Sequence, residues 1–210
     1  MRVAVVGAGL AGIAAARELV AGGHEVVVFE KSRGLGGRLA ARRAEGTVLD
    51  HGSPVVAAPP GSALRALADT LPADDRVDLP DGLAWATGAT RLPKLLATGL
   101  DVRLGVRLAA LRPAGDALEL GDEQGNTHGL ADAVVVTAPA PQAADLLERG
   151  AGRGERVRLL RGLGYAPAVM VLAGVRGVAP DVPAVVRPAD GPLAEVRRER
   201  AKGRAPAGGV

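Results

Sequence analysis

The chain has 210 residues, of which 48% are hydrophobic, so it is long and apolar enough to bury a substantial core. Cysteine is absent and aromatic residues make up 1% of the sequence, which excludes disulfides and thiolate metal sites and leaves no ladder of rings for single-stranded nucleic acid. The sequence has neither an apolar run of about 18 residues nor a secretory leader, so we predict no membrane span and a cytoplasmic location.

The basic character of the chain comes from its last segment. The formal net charge is +3, and residues 195–210 alone hold five basic and two acidic residues. We therefore expect a solvated tail rather than a surface for phosphates, and predict no nucleic-acid partner. The three histidines, His24, His51 and His128, have no metal-ligand spacing, so we also predict no metal site.

The N-terminal region has the pattern of a strand, a turn, a helix and a second strand. Residues 3–6 form an apolar run typical of a parallel strand that is covered on both faces. A glycine-rich turn follows, then a helix from Ile13 to Ala21 and a strand over Glu25–Glu30. This order predicts a βαβ-type unit.

The middle of the chain is less regular. Ser62 is placed as the N-cap of a helix that we expect to run through Leu71. A second short helix is predicted from Arg91 to Ala97, and residues 71–82 are interpreted as a connection.

From Asp101 the pattern changes to short apolar runs separated by turns, which favours a β-meander. We predict strands over Val102–Leu111, Ala117–Leu120 and Ala131–Thr137. The Ala133–Val136 segment is apolar enough to return to the buried sheet. A helix over Gln142–Glu148 and a strand over Ala168–Ala173 complete the prediction.

The first glycine-rich turn carries a G-x-G-x-x-G motif, formed by Gly7, Gly9 and Gly12 between the predicted strand and helix. These glycines allow a tight turn, close approach of a diphosphate and close helix–strand packing, while the helix N-terminus favours anions. Glu30 follows at close to the spacing of about 20 residues expected for a carboxylate that binds a ribose hydroxyl. The motif predicts dinucleotide binding, and Glu30 disfavours a 2′-phosphate and hence NADP.

A second glycine-rich turn, from Lys31 to Arg38, follows the ribose carboxylate directly. A plain NAD site has no need for it, whereas a long cofactor extended across the domain needs further backbone approach and a guanidinium on its diphosphate. This turn favours FAD over NAD.

These residues resemble the FAD-binding family that includes monoamine oxidases, phytoene desaturases and renalase, which has R-x-G-G-R at this position. Gly36–Arg43 is similar to the G-G-R-x-A-T-R-R of renalase-like proteins, and Asp50-His51-Gly52-Ser53 is similar to their D-H-G-A. The segments 131–142 and 201–206 resemble a strand that ends in A-P-x-P-Q and a K-P-G-R-P stretch.

The resemblance implies a cofactor site, with Gly7, Gly9, Gly12 and Arg38 at the diphosphate and Glu30 at the ribose. Leu39 and the backbone around His51, Gly52 and Ser53 would lie near the isoalloxazine ring, Leu108 would lie beside the adenine, and Ala138 and Pro139 would lie over the cofactor. The remaining expected contacts are Leu10, Ala11, Lys31 and Gly37. No catalytic residue is assigned, and His51 is interpreted as ordering the backbone beside the flavin.

The resulting fold class is α/β, a Rossmann-like FAD-binding domain with a β-meander crossover and a small inserted α+β substrate region. We assign residues 1–55 and 101–150 to the FAD-binding domain, and residues 56–100 and 151–210 to a reduced substrate-type region.

The leading hypothesis is an FAD-dependent oxidoreductase that takes a hydride from a small organic donor, either a reduced nicotinamide or an amine, and passes electrons to O₂ or another acceptor. The late Gly-Asp motif of such families is missing before Val210. The alternatives are therefore a truncated, non-catalytic flavoprotein with weak or ADP-only binding, and an NAD-dependent dehydrogenase. The sequence does not determine the oligomeric state.

Overall fold

A computed structural model of the protein describes residues 1–44, 46–174 and 183–204. The chain forms two compact units. The first unit comprises Met1–Gly37 and Pro93–Ala168, and the second comprises Arg38–Leu92 and Val169–Val210. Residues 38–55, which we assigned to the cofactor domain from the sequence, thus belong to the second unit.

The helices and strands alternate along much of the chain. In chain order they are β1 (Arg2–Val6), α1 (Leu10–Ala21), β2 (Glu25–Glu30), β3 (Ala41–Ala44), β4 (Thr47–Asp50), α2 (Ala63–Asp69), β5 (Arg76–Leu79), β6 (Gly82–Trp85), α3 (Arg91–Leu96), β7 (Asp101–Leu104), β8 (Leu108–Ala114), β9 (Ala117–Asp122), β10 (Thr127–Ala131), β11 (Ala133–Val136), α4 (Ala140–Ala151), α5 (Glu155–Arg161), β12 (Val185–Val186), β13 (Val196–Arg197) and a 3-10 helix over Glu199–Lys202.

The first unit is built on a four-stranded parallel sheet with the order β11-β1-β2-β7. In order of appearance along the chain this is 4-1-2-3, the arrangement of nucleotide-binding doubly wound sheets, whose strand order reverses between the first and fourth strands. The predicted strands at 3–6, Glu25–Glu30 and Ala133–Val136 are confirmed. The carboxyl ends of β1 and β11 therefore lie side by side at the switch point, where ligands bind in such sheets.

A three-stranded antiparallel sheet, β10-β9-β8, forms a meander, as expected, but its third strand is β10 and not the predicted Ala131–Thr137, most of which forms β11 of the parallel sheet. Its core side chains Leu108, Leu111 and Leu120 pack with Phe29 of β2 and Leu146 of α4. Helix α4 lies so close to β8 that a β-carbon on Gly150 would be 1.9 Å from the carbonyl oxygen of Leu111. The meander thus shares one core with the parallel sheet.

The prediction of one continuous strand over Val102–Leu111 is wrong. Gly105 has a φ of +73°, and its N–H donates to the carbonyl oxygen of Ser32 at 3.0 Å. The chain turns there, so β7 joins the parallel sheet and β8 joins the meander. The turn was missed because the sequence on both sides of Gly105 has strand-like composition.

The second unit contains three two-stranded antiparallel pairs, β3-β4, β5-β6 and β12-β13. The predicted N-cap is confirmed, because the Ser62 hydroxyl accepts the N–H of Arg65 at 3.2 Å. The predicted connection over 71–82 instead contains β5. Trp85, at the end of β6, is buried in the core of the unit with 1% of its surface exposed.

The prediction of a strand over Ala168–Ala173 is also wrong, since these residues form no strand. Val169 is 90% exposed and Val171 is 75% exposed. Apolar β-branched residues favour a strand only when a neighbouring strand supplies hydrogen bonds and a packed face, and none of the described strands pairs with this segment. Helix α5 was not predicted.

Candidate cofactor site

The first glycine-rich turn connects β1 to α1 and is closed by tight backbone contacts. Gly7 has a φ of +104° and donates its N–H to the carbonyl oxygen of Phe29 at 2.8 Å. A β-carbon on Gly12 would lie 1.9 Å from the carbonyl oxygen of Gly7. Thr137, which sequence reasoning did not single out, donates its hydroxyl to the carbonyl oxygens of Val6 and Gly7 at 3.0 and 3.2 Å. These hydrogen bonds hold the turn against the carboxyl end of β11.

The N-terminus of α1 has no hydrogen bond from a capping side chain of its N-cap residue. Gly9 is the N-cap residue, with extended backbone and no side-chain cap, and its carbonyl oxygen accepts the N–H of Ile13 at 3.0 Å. The N–H groups of Leu10 and Ala11 have no acceptor within the helix, as in every first helical turn. Together with the helix dipole they form an electropositive end suited to a phosphate.

The second glycine-rich turn lies directly against the first. Gly36 donates its N–H to the carbonyl oxygen of Ala8 at 2.9 Å and forms an isolated parallel bridge with Gly9. A β-carbon on Gly37 would be 3.2 Å from the α-carbon of Gly9. Two turns that are 20 to 30 residues apart in sequence thus present bare backbone at one place.

Glu30 is buried, with 6% of its surface exposed, and its carboxylate joins the two turns. One oxygen accepts the N–H of Ala8 and the other accepts the N–H of Ser32, both at 2.8 Å. Each carboxylate oxygen has a second lone pair, so the group can still accept from a ribose hydroxyl. The carbonyl oxygen of Glu30 accepts the N–H of Val106 at 3.0 Å, which brings the backbone leading to Leu108 beside it.

The other expected contacts of the first unit lie around the switch point or close to Glu30. Ala138 and Pro139 follow β11, and Pro139 is the N-cap residue of α4. The Lys31 ammonium is exposed and donates to Oε1 of Gln142 in α4 at 2.8 Å. The Leu108 side chain is buried in the core, so only its backbone is available to a nucleotide.

The second unit contains the expected flavin-side residues. Arg38 is exposed, and the structure gives its guanidinium no hydrogen bond or ion pair with any described residue. Leu39 is buried. The turn His51–Ser53 is bonded to the strand entrance, because His51 and Gly52 donate to the carbonyl oxygen of Ala40 at 3.0 and 3.1 Å, and Ser53 donates to that of Arg38 at 2.7 Å.

Asp50, the last residue of β4, is the centre of a buried charge network that sequence reasoning missed. Its side chain is 0% exposed. Oδ2 accepts from Nζ of Lys202 and Nη1 of Arg204, each at 2.9 Å, and Oδ1 accepts the N–H of Ala89 at 2.8 Å. Glu199 also contacts both cations.

The expectation of a solvated basic tail is therefore wrong for its described part. Lys202 and Arg204 are buried, and Arg197 pairs with Glu195 and Asp81. Hydrogen bonding from Arg197 lowers the pKa of Asp81. Residues 205–210, which include the end of the K-P-G-R-P resemblance and of the tail, lie outside the described residues. An acidic residue at the end of an apolar strand was the available signal, because a buried carboxylate requires cations.

Each unit by itself carries groups suited to binding part of a dinucleotide. The first unit supplies unused N–H groups at a helix N-terminus, glycines that leave room at the backbone, and a buried carboxylate with free lone pairs. The second unit supplies an exposed guanidinium and a hydrogen-bonded turn. Flavin chemistry needs orientation and electrostatics from the protein rather than a dedicated catalytic side chain.

Over residues 1–44, 46–174 and 183–204, no helix has the length and apolarity that a bilayer crossing requires. Within the same ranges, His, Asp and Glu side chains form no group of three or more that could hold a metal ion.

Two family models match the chain. The model of the NAD(P)-binding Rossmann-like domain matches residues 5–71, which contain both glycine-rich turns and Glu30. The model of the flavin containing amine oxidoreductase matches residues 81–208, which is more than half of the chain.

Curated relatives are larger than this chain. AofH of Mycobacterium tuberculosis, which is assigned as a flavin-containing monoamine oxidase, is 38% identical over 138 residues, 57% of this chain and 30% of AofH. A 4,4′-diapophytoene desaturase (4,4′-diaponeurosporene-forming) of Staphylococcus haemolyticus is 46% identical over 59 residues, 28% of this chain and 12% of the desaturase. The chain thus spans less than a third of the length of either relative.

Solved structures share the fold. An oxidoreductase from Methanosarcina mazei superposes with a TM-score of 0.59 at 15% identity, covering 78% of this chain and 65% of that one. A CLA-producing fatty acid isomerase from P. acnes superposes with a TM-score of 0.53 at 14% identity, covering 70% and 61%. At this identity the likeness concerns the fold, and it supports the Rossmann-like α/β class predicted from the sequence.

Proposed function

The chain belongs to the flavin-containing amine oxidoreductase family, and on that premise we propose that it is an FAD-dependent oxidoreductase of renalase-like type. Its donor is a small organic molecule, either a reduced nicotinamide or an amine, and its acceptor is O₂ or another oxidant. The amine alternative is supported by the similarity to AofH, and the nicotinamide alternative by the renalase-like motifs around Gly36–Arg43 and Asp50–Ser53.

The observation that carries the proposal is the hydrogen bond between the two glycine-rich turns, from the N–H of Gly36 to the carbonyl oxygen of Ala8 at 2.9 Å. An NAD site needs only the first turn and the ribose carboxylate. The second turn adds bare backbone at the same place, which suits a longer cofactor.

We assign the cofactor contacts by unit. In the first unit the backbone of Gly7, Gly9, Leu10, Ala11, Gly12 and Gly37 would hold the diphosphate, Glu30 the ribose, and the backbone at Leu108 the adenine, with Lys31, Ala138 and Pro139 nearby. In the second unit Arg38 would pair with a diphosphate oxygen, and Leu39 and His51–Ser53 would contact the ring system. When bound, the flavin accepts the hydride and passes on the electrons.

The predicted domain roles follow from this assignment. Residues 1–55 and 101–150 would bind FAD, and residues 56–100 and 151–210 would contact the donor. No residue is assigned to acid–base chemistry, and His51 is proposed to order the turn.

The visible spectrum of the purified protein tests the cofactor. After incubation with FAD, we expect a flavin absorbance band that stays with the protein when gel filtration removes the free FAD. We also expect a higher thermal midpoint with FAD, because a ligand that binds only the native state stabilises it. A protein that stays colourless and gains no stability from FAD contradicts the proposal.

Anaerobic titration tests the activity. Dihydronicotinamide and a primary amine are added separately to the FAD-loaded protein, and bleaching of the flavin band by one of them identifies the donor class. Re-admitted air should restore the band if O₂ is an acceptor. A band that neither donor bleaches contradicts the proposed reaction, although FAD binding stands.

A further inference from the structure

The charged side chains of the Asp50 network are buried, and no function assigned so far explains their burial. Asp50, Lys202 and Arg204 have side chains that are 0%, 1% and 2% exposed, and Glu199 is their only other charged partner among the described residues. Buried ion pairs are costly to desolvate and contribute little net stability compared with apolar packing. A role in holding one geometry is the better-attested reason to keep such a group.

The geometry that the network holds is the turn that follows Asp50. Asp50 pairs with Ala41 at the end of the β3-β4 ladder, and the ladder continues through the N–H groups of His51, Gly52 and Ser53. A β-carbon on Gly52 would be 2.1 Å from the carbonyl oxygen of Arg38. Any displacement of Asp50 would therefore be transmitted to these close backbone contacts.

The two cations hold Asp50 in different ways. Among the described residues, Lys202 donates hydrogen bonds to the two carboxylates alone, Asp50 and Glu199. Arg204 also donates to the carbonyl oxygens of Trp85 and Ala86, at 2.5 and 3.1 Å. Arg204 thus connects Asp50 to the end of β6, while the N–H of Ala89 holds the other carboxylate oxygen.

We propose that Lys202 and Arg204 are positioning residues for the flavin: they hold the Asp50 carboxylate, and through it fix the His51–Gly52–Ser53 turn against Arg38 and Ala40. This inference rests on the proposed function, because it takes that turn as part of the flavin site. The segment that was expected to be a solvated tail is then a structural support of the cofactor site.

The primary test compares Arg204→Met with Arg200→Met, which removes an exposed guanidinium from the 3-10 helix that precedes Arg204. FAD affinity is measured by fluorescence titration of the full chain, and amide exchange of residues 51–53 by mass spectrometry. For Arg204→Met we expect a rise of about tenfold in the FAD dissociation constant, as for other residues that orient binding groups. We also expect faster exchange at residues 51–53, with exchange in β1 and β2 unchanged. Arg200→Met should change neither.

A conservative variant separates positioning from general support of the fold. Arg204→Lys keeps a cation for Asp50 but cannot reproduce the guanidinium bonds to Trp85 and Ala86. If the charge on Asp50 fixes the turn, Arg204→Lys recovers the FAD affinity and the near-UV circular dichroism of the bound flavin. If Arg204→Lys behaves like Arg204→Met, the inference is wrong.

The outcomes distinguish the positioning role from the proposed function on which it rests. A wild-type protein that binds no FAD overturns both. A wild-type protein that binds FAD, with Arg204→Met binding it equally and showing unchanged exchange, overturns only the positioning role. Should Arg204→Met fail to fold, Asp50→Asn replaces it. The amide keeps the oxygen that accepts from Ala89 and removes the charge that both cations bind. Unchanged FAD affinity in Asp50→Asn would also contradict the positioning role.

Discussion

Gly12 and Gly7 are in such close contact that a β-carbon on Gly12 would lie 1.9 Å from the carbonyl oxygen of Gly7. This contact sets how closely α1 approaches β1, and therefore where the N-terminus of α1 points. The same pair therefore controls the packing of α1 against β1 and the direction of the N–H groups at the N-terminus of α1.

We predict that Gly12→Ala destabilises the protein by about 1–3 kcal/mol, the usual cost of forcing an extra carbon into a packed site. It should also weaken FAD binding, because α1 must move away from the turn. Chemical denaturation and FAD titration measure the two effects. Gly164→Ala is the control, since its β-carbon would meet no atom within 4 Å; similar losses in both variants would contradict the importance of the Gly7–Gly12 contact.

Arg38 is predicted to bind cofactor without stabilising the fold. It is exposed and has no bonding partner among the described residues, so Arg38→Ala should change the free energy of unfolding by less than about 0.5 kcal/mol. FAD affinity should fall about ten- to hundredfold, the range for loss of a hydrogen bond to a charged group.

Parallel titrations with FAD and NAD check the Arg38 prediction. NAD affinity should fall much less, because the second glycine-rich turn is assigned to the longer cofactor. Arg33→Ala, in the same exposed turn, is the matched control. Equal losses for both dinucleotides would remove Arg38 from the FAD-specific contacts.

Much of the first unit could be predicted from the sequence because its signals are local. The apolar strand, the glycine spacing and the acidic residue at the end of β2 lie within about 30 residues, and each has a direct physical meaning in a nucleotide-binding sheet.

The errors occurred where the partner is distant in sequence. Lys202 lies 152 residues from Asp50, and no local pattern distinguishes a basic residue in solvent from one that pairs with a buried carboxylate. The break at Gly105 was missed for a similar reason, since an apolar run does not reveal that its two halves belong to different sheets. The exposed segment around Val169 has strand-like composition without a described strand to pair with.

Glu30 is predicted to organise the turns as well as to bind ribose. Glu30→Gln replaces one carboxylate oxygen with an NH₂ group, which would face the N–H of Ala8 or of Ser32 and leave one backbone donor unsatisfied. We expect a loss of about 1–3 kcal/mol in stability, the cost of a buried unsatisfied group, together with weaker FAD binding. Glu25→Gln, at the exposed start of β2, should show neither effect in the same denaturation and titration experiments. A Glu30→Gln variant of wild-type stability would show that the two N–H bonds contribute little.

Asp122 makes the stability of the meander depend on acid pH. Hydrogen bonds from the side chains of Asn126 and His128, at 3.0 and 2.8 Å, and from backbone N–H groups hold the pKa of Asp122 below its usual range. Because the pKa is lower in the folded state than in the unfolded state, the carboxylate stabilises the fold above the usual Asp pKa of about 4. That contribution is lost as the pH falls below this value towards the folded-state pKa.

Denaturant unfolding between pH 2 and 6 measures the effect. Asp122→Asn should be less stable than the wild type at the upper end of this range. The difference should shrink as the pH falls, since protonation of this carboxylate in the unfolded wild-type chain then increasingly favours unfolding. Asp116→Asn, at an exposed turn position in the same meander, should follow the wild-type curve. If the difference in the free energy of unfolding between Asp122→Asn and the wild type is constant with pH, the hydrogen bonds to Asp122 do not depend on its charge. That result would contradict the prediction.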